Sequence, residues 1–68
     1  MKTYLCKAET GHNELKVNAY NAKIAFLGVC CWFDNNVKIT ITDAETGEKR
    51  TFSRTFDKAG NFTGLIEY

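Results

Sequence analysis

The stretch AKIAFLGVCCWF, residues 22–33, carries a single charge, Lys23, in a chain whose remainder is polar and short. Within it Ala22, Ala25, Phe26, Val29, Cys30 and Phe33 recur at the i, i+3, i+4, i+7 spacing that gathers side chains on one face of a helix. Asn21 stands where a helix N-cap belongs, with a side-chain oxygen able to accept a hydrogen bond from the first turn. The spacing therefore predicts a helix that starts after Asn21 and stops at the DNN of residues 34–36. A short apolar run does not by itself separate a helix from a buried strand, so a hairpin VCCWF-DNN-VKITIT is the competing reading.

The same segment bears a second stripe. Ile24, Leu27 and Cys31 fall at i, i+3, i+7, with Trp32 beside them. A sheet covers one side of a helix, and a chain of 68 residues builds one small core with no second layer to enclose the other side. The outer stripe implies another chain, either a second copy in a homodimer or a foreign protein. Alternatively, a curved sheet and the tail GLIEY wrap further round the helix.

The rest of the chain divides by period. TYLCKA and ELKVNA read as strands joined by the turn ETGHN, with Leu15, Val17 and Ala19 alternating in the second. In VKITIT, Val37, Ile39 and Ile41 share one face, and Lys38, Thr40 and Thr42 the other. DAETGE follows as a turn in which Gly47 suits positive φ. KRTFSRTF comes next, with Phe52 and Phe56 toward the core and Thr51, Ser53 and Thr55 toward solvent. After DKAGN, FTGLIEY reads as a last strand. The expected architecture is α+β, a small antiparallel sheet with one helix packed on it in the order β-β-α-β-β-β, one domain over residues 1–68.

Composition narrows the function classes. A hydrophobic content of 44% with 13% aromatics is that of a folded chain. Nine basic against eight acidic residues, a net charge of +1, argues against an acidic nucleic-acid mimic and against a strongly basic nucleic-acid binder. The opening KTYLCKAET lacks the charged-then-apolar plan of a signal peptide, and the longest apolar run is too short to span a bilayer. A cytoplasmic location with no membrane partner is expected.

Three cysteines cannot complete a disulfide framework, so reduced thiols are expected. Cys6, His12, Cys30 and Cys31 form a candidate zinc set. A six-residue strand leading away from the His12 turn runs roughly 20 Å. A helix of twelve residues returns over roughly 18 Å, which would bring the cysteine pair back to that end. Against a metal stand the distance of Cys6 from the turn, the lack of a C-x-x-C spacing, and the roughly 100° divergence of adjacent residues on a helix. The main expectation is no cofactor, with a structural-zinc mini-domain as the alternative. No enzyme is expected either. His12 is the sole histidine, and a thiol at a helix C-terminus has its pKa raised by the dipole, the wrong direction for a nucleophile. The NFT at Asn61 is read as a chance match to a glycosylation sequon.

Basic residues concentrate at Lys49, Arg50 and Arg54, with Lys38 and Lys58 near by. Arg50 and Arg54 alternate with Phe52 and Phe56, a spacing that suits either a nucleic-acid surface or two core rings with arginines at the rim. Glu45, Glu48 and Asp57 offset much of the field, and a protein with an acidic edge fits equally well.

Two short strands leading into LKVNAYNAKIAFLGVCCWF and then VKITITDAETGEKRTFSRTF resemble the layout of small anti-CRISPR proteins of phages and mobile elements, in particular one type I-F group. The shared features are a V-x-A strand end, a helix with alanines near its start and a terminal meander, over most of the chain. The resemblance implies a non-enzymatic viral inhibitor that occupies a Cas effector in the host cytoplasm and blocks target-DNA loading. No functional residue carries over by position, and the cysteine pair at the helix end departs from the group. The residues expected to meet a partner are Ile24, Leu27, Cys31 and Trp32 on the helix and Lys49, Arg50 and Arg54 on the basic strand. The alternative is a nucleic-acid-binding accessory protein using that strand. Monomer and homodimer both stay open.

Overall fold

The computed structural model describes residues 1–11, 13–34 and 36–68. It comprises β1 (Lys2–Ala8), β2 (Glu14–Ala19), α1 (Ala22–Val29), a 3₁₀ turn (Cys30–Trp32), β3 (Ile39–Asp43), β4 (Lys49–Phe56) and β5 (Phe62–Glu67). The strands form one five-stranded sheet in the order β2-β1-β3-β4-β5, each neighbouring pair antiparallel. This is the small α+β architecture expected. β2 and β3 flank β1 and run parallel to each other, so α1 carries the chain from one to the other across β1.

Turn chemistry sets the hairpins. The Asp43 carboxylate accepts from the Glu45 N–H at 2.8 Å and the Thr46 N–H at 3.2 Å, and Gly47 follows at φ +79°. Asp57 repeats the device, accepting from the Ala59 and Asn61 N–H groups at 2.9 Å, with Gly60 at φ +86°. Short acceptors fold back on their own turns, and glycine takes the left-handed position at no steric cost. In both carboxylates these backbone donors, led by Glu45 for Asp43 and by Asn61 for Asp57, favour the charged form and lower the pKa.

The segment after β2 is helical, not a hairpin with β3. Asn21 caps it, its Oδ1 accepting from the Ile24 N–H at 2.9 Å. The α-helix is shorter than its spacing predicts, ending at Val29 and tightening into the 3₁₀ turn, after which Phe33 is extended at φ −117°, ψ 160°. Val29, Trp32 and Phe33 are poor helix formers, and no basic residue in the last turn of α1 complements its carbonyls. Arg54 of β4 also donates to the Phe33 carbonyl at 2.9 Å, holding the chain where it leaves the turn. β3 likewise starts two residues later than its alternation predicts. Val37 still packs against the core, while the Lys38 carbonyl accepts from the Glu9 N–H at 2.9 Å.

Directly opposed residues of antiparallel strands share a face. Tyr4, Cys6 and Ala8 of β1, Ile39 and Ile41 of β3 and Phe52 of β4 thus line the helix side, where they meet Ala22, Ala25, Phe26, Val29 and Cys30. The Phe26 and Phe52 rings sit 5.2 Å apart at the centre, both buried. Burying one such ring contributes on the order of 2–3 kcal/mol. Alanines at 22 and 25 leave little bulk between helix and sheet. Phe56 is only half-buried and pairs with Phe62 at 6.1 Å. Ser53 points away from the helix as expected, yet it is buried, because its hydroxyl meets the Tyr68 hydroxyl at 2.8 Å.

Candidate interaction surface

α1 lies over β1, β2 and β3, whereas β5 pairs with β4 at the other edge of the sheet. The tail therefore does not wrap the helix, and the outer stripe stays uncovered. Ile24 is 45% exposed, Leu27 44% and Trp32 75%, and Cys31 is exposed as well. Helical geometry dictates the division. Once Phe26 and Val29 point at the sheet, residues two positions back from each, about 200° round the helix, face the opposite way.

Trp32 sits in the 3₁₀ turn beside the β1–β2 hairpin. With Gly11, Asn13, Leu15 and Phe33 it lines an apolar recess of about 230 Å³. Tyr20, just before the cap at the other end of the helix, is a further large exposed side chain at 71%. Sequence periodicity missed Tyr20 because it lies outside the helical repeat. Its position between a strand end and a cap was the available signal.

The basic strand is not one patch. Lys49 opposes Thr42 on the uncovered face of the sheet, while Arg50 opposes the buried Ile41 on the helix side. Adjacent strand residues point to opposite faces, which reading Lys49 and Arg50 together overlooked. Arg50 grips Glu67, Nε to Oε2 and Nη2 to Oε1, both at 2.7 Å. This bidentate pair holds the Glu67 carboxyl below its usual pKa and the Arg50 guanidinium above its own. Arg54 is engaged with the Phe33 carbonyl. The alternation of cations and rings is realised internally, with the Arg50 guanidinium 5.2 Å from the Phe52 centroid and that of Arg54 5.4 Å from Phe56. Lys38 stands 4.4 Å over the Tyr68 ring, and Lys58 lies in the exposed β4–β5 turn.

The thiols part company. Cys6 is fully buried on the helix side, and burial, aided by the negative Glu14, pushes its pKa up to about 11. Cys30 is buried with its Sγ 3.6 Å from the Leu27 carbonyl oxygen, and Cys31 is exposed. His12 lies outside the described residues. Among the described residues no group of three or more metal-ligating side chains comes together. Among the same residues no helix is long and apolar enough to cross a membrane.

Compared with protein-family models, with curated proteins and with solved structures, the chain gives no significant match, and the reading of the surface rests on its own geometry.

Proposed function

We propose that this chain is a small non-enzymatic protein-binding module that docks a partner on the outer face of α1 and the 3₁₀ turn. The observation that carries the reading is the uncovered stripe Ile24, Leu27, Cys31 and Trp32, which stands beside the Trp32 recess and out of reach of β5. Contiguous apolar surface on a monomer of this size marks an interaction site, and tryptophan is among the residue types that most often dominate binding energy. The mode is that of an amphipathic helix presented to a groove.

The resemblance to small anti-CRISPR proteins supplies the partner class: a Cas effector, held by this face so that target DNA cannot load. Arg50 and Arg54 have internal partners and are not assigned to the partner surface. The test is titration of a purified type I-F effector complex with the chain, reading both complex formation and target-DNA binding. Wild type should bind and inhibit, and Leu27→Asp and Trp32→Ala should each lose at least tenfold in affinity while keeping the wild-type circular dichroism spectrum. Equal binding by both variants would remove the helix face from the assignment. Absence of binding by the wild type would remove the effector.

A further inference from the structure

We propose that the face of the sheet opposite α1 is a second, separate binding surface, built for the sugar-phosphate backbone of single-stranded nucleic acid. The register lays Lys16, Leu5, Thr42 and Lys49 in one row across β2, β1, β3 and β4, with Glu14, Lys7, Thr40 and Thr51 in the next. Strands lie about 4.8 Å apart, so Lys16 and Lys49 stand roughly 14 Å from each other, and the rows are roughly 7 Å apart along the strands. Lys38 closes one end, over the ring of Tyr68.

Lysines outnumber carboxylates at the strand positions of this face. The chain as a whole is near neutral at +1, yet the strand positions on this face carry Lys7, Lys16 and Lys49 against Glu14 alone, with Lys38 beside them. Among the described residues the salt bridges are Lys2–Asp43 and Arg50–Glu67, so none of these lysines has a carboxylate within ion-pair distance. Of the other acids, Asp43 and Asp57 serve turns and Glu67 holds Arg50 on the helix side, while Glu9 borders this face beside Lys7 and Lys49, and Glu45 borders it beside Lys16.

The filling between the cations fits the same ligand. Thr40 and Thr51 approach each other at 3.1 Å between hydroxyl oxygens, and such neutral hydroxyls donate readily to phosphate oxygens. Tyr68, 59% exposed and anchored through Ser53, offers a ring at the edge for a base. Lys7, Thr40, Thr42 and Lys49, together with Glu9 and Glu14, line a shallow depression of about 370 Å³, so phosphates are expected along the lysine rows at its rim and not at its centre. At its β5 edge this face exposes Ile66 (47%) and Tyr68, while Leu5 in its middle is half-buried, and the central rows of lysine and threonine favour a repeating anion over an acidic protein. The expected footprint is at the small end of the roughly 4–16 nucleotides seen for single-strand-binding modules.

Fluorescence anisotropy of a labelled 20-mer oligothymidylate, titrated with the full chain, tests this. Wild type should bind at 50 mM salt and weaken about 20- to 50-fold at 200 mM, the drop expected for three or four neutralised phosphates on a single strand. Lys16→Glu combined with Lys49→Glu should lower affinity at least tenfold, and Leu27→Asp should leave it unchanged. If the Lys16/Lys49 pair misfolds by circular dichroism, Lys7→Glu with Lys38→Glu should produce the same loss. No binding at 50 mM salt, binding indifferent to a folded charge-reversal pair, or equal competition by poly-glutamate would each overturn the proposal, the last by making the face a site for acidic protein. Because Leu27→Asp separates the two surfaces, failure here leaves the helix-face reading standing, and the converse holds.

Discussion

Arg50 of β4 reaches diagonally to Glu67 of β5 through two parallel hydrogen bonds of 2.7 Å, and so fastens the edge strand to the sheet. The cation is thereby committed within the chain and shielded on one side by the Phe52 ring. A double-mutant cycle with Arg50→Gln and Glu67→Gln should give a small favourable coupling in urea denaturation, supported by the bidentate geometry and held down by side-chain exposures of 38% and 41%. A coupling of zero would mean that β5 is not held this way in solution.

Acid should loosen the fold in a defined window. Asp43, Asp57 and Glu67 all have folded pKa values below their ordinary ones, the first two through backbone donors and the third through Arg50. Below about pH 5 the unfolded chain takes up protons on these groups before the folded chain does, because unperturbed Asp and Glu titrate near 3.9 and 4.3. Their stabilisation is therefore present above that range and is lost as pH falls through the lowered folded values. Urea midpoints measured from pH 7 to pH 3 should fall on the acid side, and Asp43→Asn should flatten the slope. A midpoint indifferent to acid would contradict these contacts.

The fold was legible where local rules act alone. Alternation placed Ile39 and Ile41, the turn acceptors and glycines marked both later hairpins, and Asn21 announced the cap. What escaped were features set by tertiary partners. Nothing in the helical spacing shows that Phe33 will be drawn into extended backbone by Arg54, since that contact joins residues 21 apart. The split of Lys49 from Arg50 was available from the strand period, but three basic residues close in sequence invite a single patch. Lys7 and Lys16 join Lys49 only through the register of β1 with both β2 and β3, which depends on long-range pairing. The exposed helix stripe was visible as a second period within the same segment, and its freedom was decided by where β5 pairs.

The cysteines should separate cleanly by reactivity. Cys31 is exposed, whereas Cys6 and Cys30 are buried and the Cys6 thiol is pushed up to about 11. Ellman's reagent at pH 8 should titrate one thiol rapidly in the native chain and all three after denaturation, with Cys31→Ser abolishing the fast phase. The raised pKa also makes folding alkali-sensitive. As pH rises from about 9 toward 11 the unfolded Cys6 ionises while the folded one stays protonated, so stability falls. Rapid reaction of two or more thiols would mean that the core opens readily around β1.

Phe26 and Leu27 are neighbours in α1 with opposite fates, and substituting each tests whether the outer face is free. Phe26 has no exposed surface and stacks on Phe52, so Phe26→Ala removes a central ring at a cost of about 3–5 kcal/mol. A domain of this size rarely has more than about 3–5 kcal/mol to lose, and the variant should be unfolded at 25 °C. Leu27 is 44% exposed, so Leu27→Asp should shift stability by no more than about 0.5 kcal/mol. The comparison is made by urea denaturation together with light scattering of the wild-type chain. If Leu27→Asp costs as much as a core substitution and the wild type scatters as a dimer, the stripe is already buried by a second copy. A foreign partner would then have to displace that copy or bind elsewhere. If Leu27→Asp is silent and the wild type is monomeric, the stripe is open to a partner, since α1 has only the sheet on one side and solvent on the other.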